Sequence, residues 1–373
     1  MNGGPRDCLP VLALAAVCAG MWLLPSPTRV ADDGGRSMRA KVVEVDDTGL
    51  SLLGLVEYGT QRLKLEMLEG PAAGRVFDAA NEVRAQLDID KKFEVGDTAS
   101  VTWPAGGAAE TDTLVVRDHW RLGWMSVLFV SFAALLVAFG GWTGAKALFS
   151  FVFSCFAVWK LLIPLCLGGW SAAWVSFAAV SVLTAVIMYL VAGATRKGTA
   201  AFLGAMLGVG ASLVLAHFFT VVMHVNGATM PFVQALLYSG YADLDLADVF
   251  VGAIILASSG AVMDLAMDIA AGVGEVWRHN PGLSRAELFR SGIRIGSSVV
   301  GTMTTTLLLA YSGGYLTLLM VFAAQGTRPL DFINSTLVSA EIVKTLVGSF
   351  GLVLVAPFTA LVSAWIWKHR EGK

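Results

Sequence analysis

Two aspartates four residues apart, Asp264 and Asp268, stand in the long apolar stretch ASSGAVMDLAMDIAAGV at 257–273. On a helix this spacing places both carboxylates on one face. A carboxylate in hydrocarbon costs about 2.5–3.5 kcal/mol on insertion scales, and such residues often mark ion or proton pathways. We interpret the pair as a candidate ion- or proton-coupling site. The alternatives are interhelical hydrogen bonds for Asp264 and contact with interfacial water for Asp268.

A lysine also lies inside an apolar stretch, FSFVFSCFAVWKLLIPLCLGGW at 149–170. Lys160 follows Lys146 by fourteen residues, which is about 20 Å along a helix. A lysine at that depth requires an acidic partner, a group of carbonyls or a lowered pKa, unless its side chain extends to the outer headgroups. We hypothesise that Lys160 pairs with Asp264 or Asp268 as a proton-titratable unit.

Hydroxyl side chains form a third candidate set in GTMTTTLLLAYSGG at 301–314. Thr304 and Thr305, with Thr302 and Thr306 beside them, lie early in an apolar segment. Threonines at such positions bond to their own backbone, relay protons or line a polar cavity. We assign Thr304 and Thr305 to the candidate coupling site. Nothing in the sequence indicates a metal or an organic cofactor.

The composition indicates a membrane protein. Of 373 residues, 56% are hydrophobic and only 14% are charged, whereas soluble domains carry about 25% charged residues. Several uninterrupted apolar stretches are about 20 residues long, the length that spans a bilayer. The net charge is −2, and no basic stripe interleaved with aromatic residues is present, so we expect no nucleic-acid partner.

The sequence divides into three parts. Residues 1–30 predict an N-terminal anchor or signal segment, and an uncleaved anchor is the preferred interpretation. Residues 37–118 alternate apolar and polar positions between Gly and Asp turns, which predicts a small exported all-β module, a barrel or a sandwich of five or six strands. Residues 119–373 predict a helical transmembrane domain.

We predict an α-helical polytopic membrane protein with about eight spans: the N-terminal segment and residues 122–140, 146–168, 171–193, 199–224, 249–273, 294–311 and 345–367. Residues 314–344 are too polar for a full span and predict a re-entrant helical hairpin. The segment from Ser284 to Arg294 predicts a short amphipathic helix on the inner leaflet. Basic residues at 194–199, 277–294 and 367–373 place both termini in the cytoplasm and the β-module outside a bacterial cell membrane.

Several segments resemble the YibE/F family of bacterial multi-pass membrane proteins. They are SSGAVMDLAMDIAAGVGEV, LFRSGIRIGSSVVGTMTTTLLLAYSGG, EIVKTLVGSFGLVLVAPFTALVSA, KLLIPLCLGG and, in the outer module, LEGPAAGRVFDAANEV. The resemblance covers nearly the whole chain. It implies a membrane location and little about activity.

A looser similarity links the aspartate-bearing span, the amphipathic helix, the threonine-rich span and the final GSFG…AP span to half of a SecDF or resistance–nodulation–division exporter. That resemblance implies proton-driven transport through Asp264 and Asp268, with Thr304 to Thr306 opposite them, in a dimer or a paired protein. The extra spans before Asp264 depart from that pattern, so the similarity remains an analogy.

The sequence therefore predicts a proton- or ion-coupled secondary transporter or exporter-like machine, with protons or cations and the lipid bilayer as its partners. It contains no Walker A motif, no H-E-x-x-H and no G-x-S-x-G, so we expect no ATPase and no enzyme. The alternative is a non-transporting membrane scaffold or assembly factor whose β-module binds an envelope partner. The sequence leaves open the substrate and the choice between a homo-oligomer and a paired membrane protein.

Overall fold

The computed structural model describes residues 19–20, 35–104, 106–108 and 112–368. The predicted N-terminal anchor or signal segment therefore lies almost wholly outside the described residues. The chain forms two compact units, whose boundary falls between Leu135 and Leu136, inside the first long helix. The first unit contains the β-module, and the second contains the helices that follow.

Six strands form the β-module: β1 (Arg36–Asp46), β2 (Leu50–Leu53), β3 (Val56–Met67), β4 (Val76–Arg84), β5 (Thr98–Trp103) and β6 (Leu114–His119). Five of them close into a barrel in the order β1-β3-β4-β6-β5-β1. Only the β4–β6 pair is parallel. This is the Greek-key arrangement of the OB-fold, and it confirms the predicted barrel. Strand β2 pairs only with β3 and extends the sheet beyond the barrel.

Alternation along the strands fills the barrel. On β3, Leu63, Leu65 and Met67 are buried, whereas Arg62 before them and Lys64 between the two leucines are exposed. This period of two is what a closed sheet requires, because successive side chains point to opposite faces. The core also contains aromatic rings, of which Phe77 and Trp103 meet edge to face at a centroid distance of 5.5 Å.

Two buried amides tie the β4–β5 connection to the barrel. The Gln61 side chain donates to Asp47 Oδ1 at 2.8 Å and to the Phe93 carbonyl at 3.0 Å. Its Oε1 atom accepts from the Phe93 amide and from Asn81 Nδ2, both at 3.1 Å. Asn81 also donates to the Lys91 carbonyl at 2.6 Å. Because these polar groups satisfy one another, the amides stabilise the connection at Lys91 to Phe93.

The helices follow in this order: α1 (Leu122–Ala157), a π-helical turn (Val158–Leu162), α2 (Ile163–Leu167), α3 (Ala172–Ala192), α4 (Arg196–Val222), α5 (Val233–Tyr238), α6 (Leu246–His279), α7 (Arg285–Gly314), α8 (Leu316–Ala324), α9 (Pro329–Asn334) and α10 (Thr336–Lys368). The described residues contain six helical runs long and apolar enough to cross a membrane. The sequence-based number of eight spans is therefore wrong.

One reason for the smaller number of spans is that two predicted spans fall within one helical range. The two predicted spans, residues 122–140 and 146–168, fall within one apolar range of 46 residues, Leu122–Leu167, which a kink divides into two helices. Gly141 interrupts it with φ 54° and ψ −130°, a backbone conformation that favours glycine. The backbone at Gly144 lies against that of Leu136. Residues eight apart lie about 12 Å apart along a straight helix, so the chain bends sharply here. The other reason is that the N-terminal segment lies outside the described residues.

The region predicted as a re-entrant hairpin is divided differently. Its first half forms the short helices α8 and α9, whose residues are all exposed or half-buried, whereas the second half is the start of the long helix α10. The predicted short amphipathic helix is also continuous with a longer one. Ser284 does form a capping box with Glu287, but the helix it begins runs on to Gly314.

Helices α4, α6 and α10 form the centre of the helical unit, with α3 and α7 packed around them. At the contact between α4 and α10, Gly204, Gly208 and Ser212 face Thr359, Val355 and Gly351 respectively. The spacing of four residues on both helices shows an antiparallel contact with a small residue at each turn of α4. Small side chains allow the two backbones to approach closely, which is how helices associate in lipid.

We expect Gln61→Leu to lower the free energy of local unfolding of the segment 91–93 by about 1–3 kcal/mol, because the Phe93 amide and carbonyl lose their buried hydrogen-bond partner. Hydrogen exchange of the full chain in detergent, followed by mass spectrometry, should show faster exchange at 91–93. Gln86→Leu, at an exposed position, is the matched control and should leave this segment unchanged. Equal exchange in both variants would contradict the assigned role of the amide network.

Two glycines of α4 predict opposite effects of the same substitution. An added Cβ at Gly208 would lie 2.9 Å from Val355 Cβ, whereas at Gly210 it would meet only Phe177 at 3.9 Å. Gly208→Ala should therefore lower stability by about 1–3 kcal/mol. Gly210→Ala should raise it by up to about 1 kcal/mol through helix propensity. Thermal unfolding in detergent checks both, and a shift of the same sign for the two would contradict the packing.

Candidate functional site

Asp264 and Asp268 lie on the outside of the helical unit. Both side chains are exposed, while Leu265, Ala266 and Ile269 on the opposite face of α6 are buried in the core. The exposed face of α6 also carries Gly260, Ala257 and Glu275. The spacing of four residues thus places both carboxylates on one face, as the sequence predicts. It does not place them inside the bundle.

Helix α7 packs beside this face, and three contacts give the register. Gly272 lies against Ile295, Gly292 against Val273, and Gly296 against Ile269. The two helices run in opposite directions, so moving back along α6 corresponds to moving forward along α7. Asp268 therefore lies level with residues 297–299, and Asp264 lies level with residues 301–303.

Hydroxyl groups of α7 occupy the same levels. Ser298, Thr302 and Thr306 are exposed and repeat every four residues on the face of α7 that includes Ile295. Since Ile295 contacts Gly272, one turn from Asp268, this face of α7 adjoins the carboxylates. We call Asp264, Asp268, Ser298, Thr302 and Thr306 the α6–α7 polar face. It is a strip of charged and hydroxyl side chains on two helices that are long and apolar enough to cross a membrane.

The threonine hydroxyls donate to their own helix. Thr302 donates to the Val299 carbonyl at 2.9 Å, and Thr306 donates to the Thr302 carbonyl at 3.0 Å. Each hydroxyl proton is engaged with the backbone, which leaves the oxygen lone pairs as acceptors. The polar face thus presents oxygen acceptors from both helices, an arrangement suited to a proton or a cation.

The two threonines selected from the sequence differ in exposure. Thr304 and Thr305, which the sequence analysis selected, donate to the carbonyls of Val300 and Gly301 at 2.8 and 3.0 Å. Thr305 is exposed beside the polar face, whereas Thr304 is half-buried on another side of α7. The signal that identifies Thr302 and Thr306 is the spacing of four residues that starts at Ser298.

Lys160 lies on the π-helical turn Val158–Leu162 and is half-buried. This turn packs against α2 and α3, and α3 in turn packs against α6. The pairing of Lys160 with Asp264 or Asp268 stays a prediction.

The structure reveals a charged pair that sequence analysis did not select. Lys344 Nζ lies 2.8 Å from Glu341 Oε1 in α10, and both side chains are only about one-fifth exposed. Close by, the buried Tyr311 hydroxyl lies next to Gly348 and has no hydrogen-bond partner among the described residues. An acid and a base three residues apart in an apolar segment is the sequence signal that identifies this pair.

At one end of the bundle an arginine joins three helices. The Arg196 guanidinium of α4 lies 5.9 Å from the Trp277 ring of α6 and 5.6 Å from the Trp367 ring of α10. The two indoles stack at 5.0 Å. Lys368 of α10 donates to the Pro281 carbonyl in the α6–α7 connection. Basic segments that are distant in sequence therefore meet at one end of the helices.

The histidines that follow one another in α4 and its C-terminal turn, His217 and His224, are both exposed. Within the part of the chain that the structure describes, no group of three or more His, Cys, Asp or Glu side chains is arranged to hold a metal ion. The α6–α7 polar face is thus the principal concentration of potential chemistry in the helical unit.

Comparison with known proteins identifies one family. The model of the family described as YibE/F-like protein matches residues 128–369, which is more than half of the chain and includes the α6–α7 polar face. No curated protein and no solved structure matches.

The Glu341–Lys344 pair leads to a stability prediction. Lys344→Met leaves a half-buried carboxylate without its ammonium partner, and we expect a loss of about 1–3 kcal/mol after allowing for partial exposure. Thermal unfolding of the detergent-solubilised protein measures it. Arg278→Met removes the base of the Glu275–Arg278 pair, which has the same spacing but is exposed, and should change stability by less than about 0.5 kcal/mol. A Lys344→Met effect no larger than that control would contradict the prediction.

Proposed function

The chain belongs to the YibE/F family, and from this premise we propose that it is a proton- or ion-coupled secondary transporter. It is an integral multi-pass membrane protein whose described residues include six long apolar helices. The observation that supports the proposal is the α6–α7 polar face, where Asp264 and Asp268 lie level with the hydroxyls of Ser298 and Thr302 on otherwise apolar helices. The proposed mechanism contains no enzymatic step.

The chemistry follows from two like charges on one helix face. Four residues correspond to a rise of about 6 Å, so two ionised carboxylates repel each other in a medium that screens charge poorly. Uptake of one proton or one cation removes that repulsion. Release restores it and favours a different contact between α6 and α7. This alternation couples ion occupancy to helix position.

Exposed carboxylates on a membrane-spanning helix require a covering environment, because lipid tails solvate them poorly. We propose that water and a second membrane protein, either another copy of the chain or a paired protein, cover the α6–α7 polar face. Gly260 and Ala257 extend the face on α6, and their small size suits the close approach of another helix.

The same proposal includes an orientation. The basic ends of α4, α6 and α10 meet around Arg196, and α7 begins at the same end with Arg285 and Arg290. Since basic residues concentrate on the cytoplasmic side, we place this end in the cytoplasm of a bacterial cell and the β-module outside it.

The full chain in proteoliposomes on a solid-supported membrane tests the proposal. We expect a rapid charge displacement after a jump in pH or in Na⁺ or K⁺ concentration. Asp264→Asn and Asp268→Asn together should remove most of this displacement, because an amide binds neither a proton nor a cation strongly. Glu275→Gln, on the same exposed face nearer the helix end, is the matched control and should retain it.

Two results would contradict transport through this face. One is a full displacement in the double variant, and the other is no displacement by the wild-type chain with any of the three ions. The second result would favour the alternative function, a membrane scaffold whose β-module binds an envelope partner. Orientation is tested separately by labelling single cysteines at Arg285 and Leu68 in intact cells with a membrane-impermeant maleimide.

A further inference from the structure

We propose that one end of the β-barrel inserts into the lipid headgroup layer through a ring of exposed apolar side chains. These side chains come from the β2–β3 hairpin and from the β4–β5 connection: Leu52, Leu53, Leu55, Leu87, Ile89 and Val95, which we call the apolar rim. The inference is independent of the proposed transport function.

The side chains of the apolar rim are far more exposed to solvent than is usual for leucine, isoleucine and valine. Leu55 is 99% exposed and Leu87 is 82% exposed, in a module whose core is otherwise closed. Leu52 and Leu53 follow one another on β2, so they point to opposite faces of the hairpin, and both are exposed. The hairpin therefore extends clear of the barrel. Exposed apolar clusters on a soluble module mark surfaces that contact a partner or a membrane.

The hairpin geometry presents leucine at its tip. Leu53 pairs with Val56, so the loop consists of Gly54 and Leu55 only. Gly54 has φ 65°, a conformation that this position of a tight hairpin turn requires and that glycine adopts freely. The tip residues of hairpins that face water are ordinarily polar. A fully exposed leucine at the tip of the β2–β3 hairpin therefore indicates that this tip contacts an apolar environment.

The second loop is held in place by a carboxylate. Asp90 accepts hydrogen bonds from the backbone amides of Arg84 at 2.9 Å and Gln86 at 2.6 Å. These bonds stabilise the turn that carries Leu87 and Ile89 outward. Between the two loops lies a groove of about 360 Å³, lined by apolar side chains that include Leu52, Leu55 and Leu87 and bordered by the charged residues Glu57, Asp90, Lys91 and Lys92.

Strand directions place the apolar rim at the end of the barrel that is nearest the membrane. Strand β6 runs parallel to β4, so His119 at the end of β6 and Arg84 at the end of β4 lie at the same end. The β2–β3 hairpin lies there too, because Tyr58 at the start of β3 pairs with Arg84. Only Trp120 and Arg121 separate His119 from the membrane-spanning helix α1.

Chain length then fixes how far this end is from lipid. Three residue steps span at most about 10 Å, so the carboxyl end of β6 lies within that distance of the start of α1. Trp124, on the first turn of α1, is 81% exposed, as expected of an aromatic residue at a membrane interface. A lipid surface supplies an apolar layer for the leucines and phosphates for Lys91, whereas the Lys92 ammonium is paired with Asp47 and Glu57.

The test measures lipid contact at both ends of the barrel in the full chain. Cys8, Cys18, Cys155 and Cys166 are replaced by serine, and a nitrobenzoxadiazole fluorophore is attached to Leu55→Cys or, as the matched control, to Leu68→Cys at the opposite end. Each protein is placed in nanodiscs of phosphatidylcholine and phosphatidylglycerol with or without a lipid that carries a doxyl quencher near the headgroup.

We expect doxyl lipid to quench the label at position 55 severalfold and aqueous iodide to quench it little, with the reverse at position 68. Strong iodide quenching at 55 would overturn the proposal, because the apolar rim would then lie in water. Protection from both quenchers would also overturn it, since protein and not lipid would cover the rim.

A second set of variants assigns the effect to the apolar rim. With the label at Leu87→Cys, the changes Leu52→Ser, Leu53→Ser and Leu55→Ser together should abolish most of the doxyl quenching. Leu68→Ser and Val76→Ser at the opposite end, together with Val115→Ser at mid-barrel, remove exposed apolar side chains outside the apolar rim and should leave the quenching unchanged. Unchanged quenching in the first set would contradict insertion through the hairpin.

Discussion

The close approach of α4 and α10 is the contact on which the helical unit depends. In hydrocarbon no hydrophobic force holds helices together, so the bundle relies on dispersion between backbones that come near one another. Gly204, Gly208 and Ser212 provide that proximity along three turns of α4. Helix α6 then packs against both partners, and its buried face is set by them. Which face of α6 remains outside follows from this arrangement.

The outside face of α6 is where the helical unit departs from ordinary membrane-protein chemistry. Asp264 and Asp268 are exposed and point away from the core of the helical unit. By contrast, Glu341 and Lys344 neutralise each other locally and need nothing further. Opposite charges that neutralise each other, such as Glu341 and Lys344, stabilise the structure. Two like charges on one exposed helix face, such as Asp264 and Asp268, are candidates for a function.

The β-module follows a different rule, because its surroundings are polar. Closure of the barrel leaves no free edge in the core strands, and the Gln61–Asn81 network satisfies the polar groups that the closure buries. The apolar rim places apolar side chains on the surface of a module with a polar exterior. The α6–α7 polar face does the opposite, because it places charged and hydroxyl side chains on helices that are apolar enough to cross a membrane.

The sequence by itself determined the class of protein, the alternating strands of the module, the positions of most long helices and the placement of Asp264 and Asp268 on one helix face. These are local properties, since hydropathy and periodicity are read over ten to twenty residues. Only the tertiary structure decided that the carboxylates point outward and that Ser298 and Thr302 lie level with them. It also decided that the chain bends sharply at Gly141, between two helices. The rotation and register of a helix depend on contacts between residues distant in sequence, such as Gly272 with Ile295, and no local pattern contains that information.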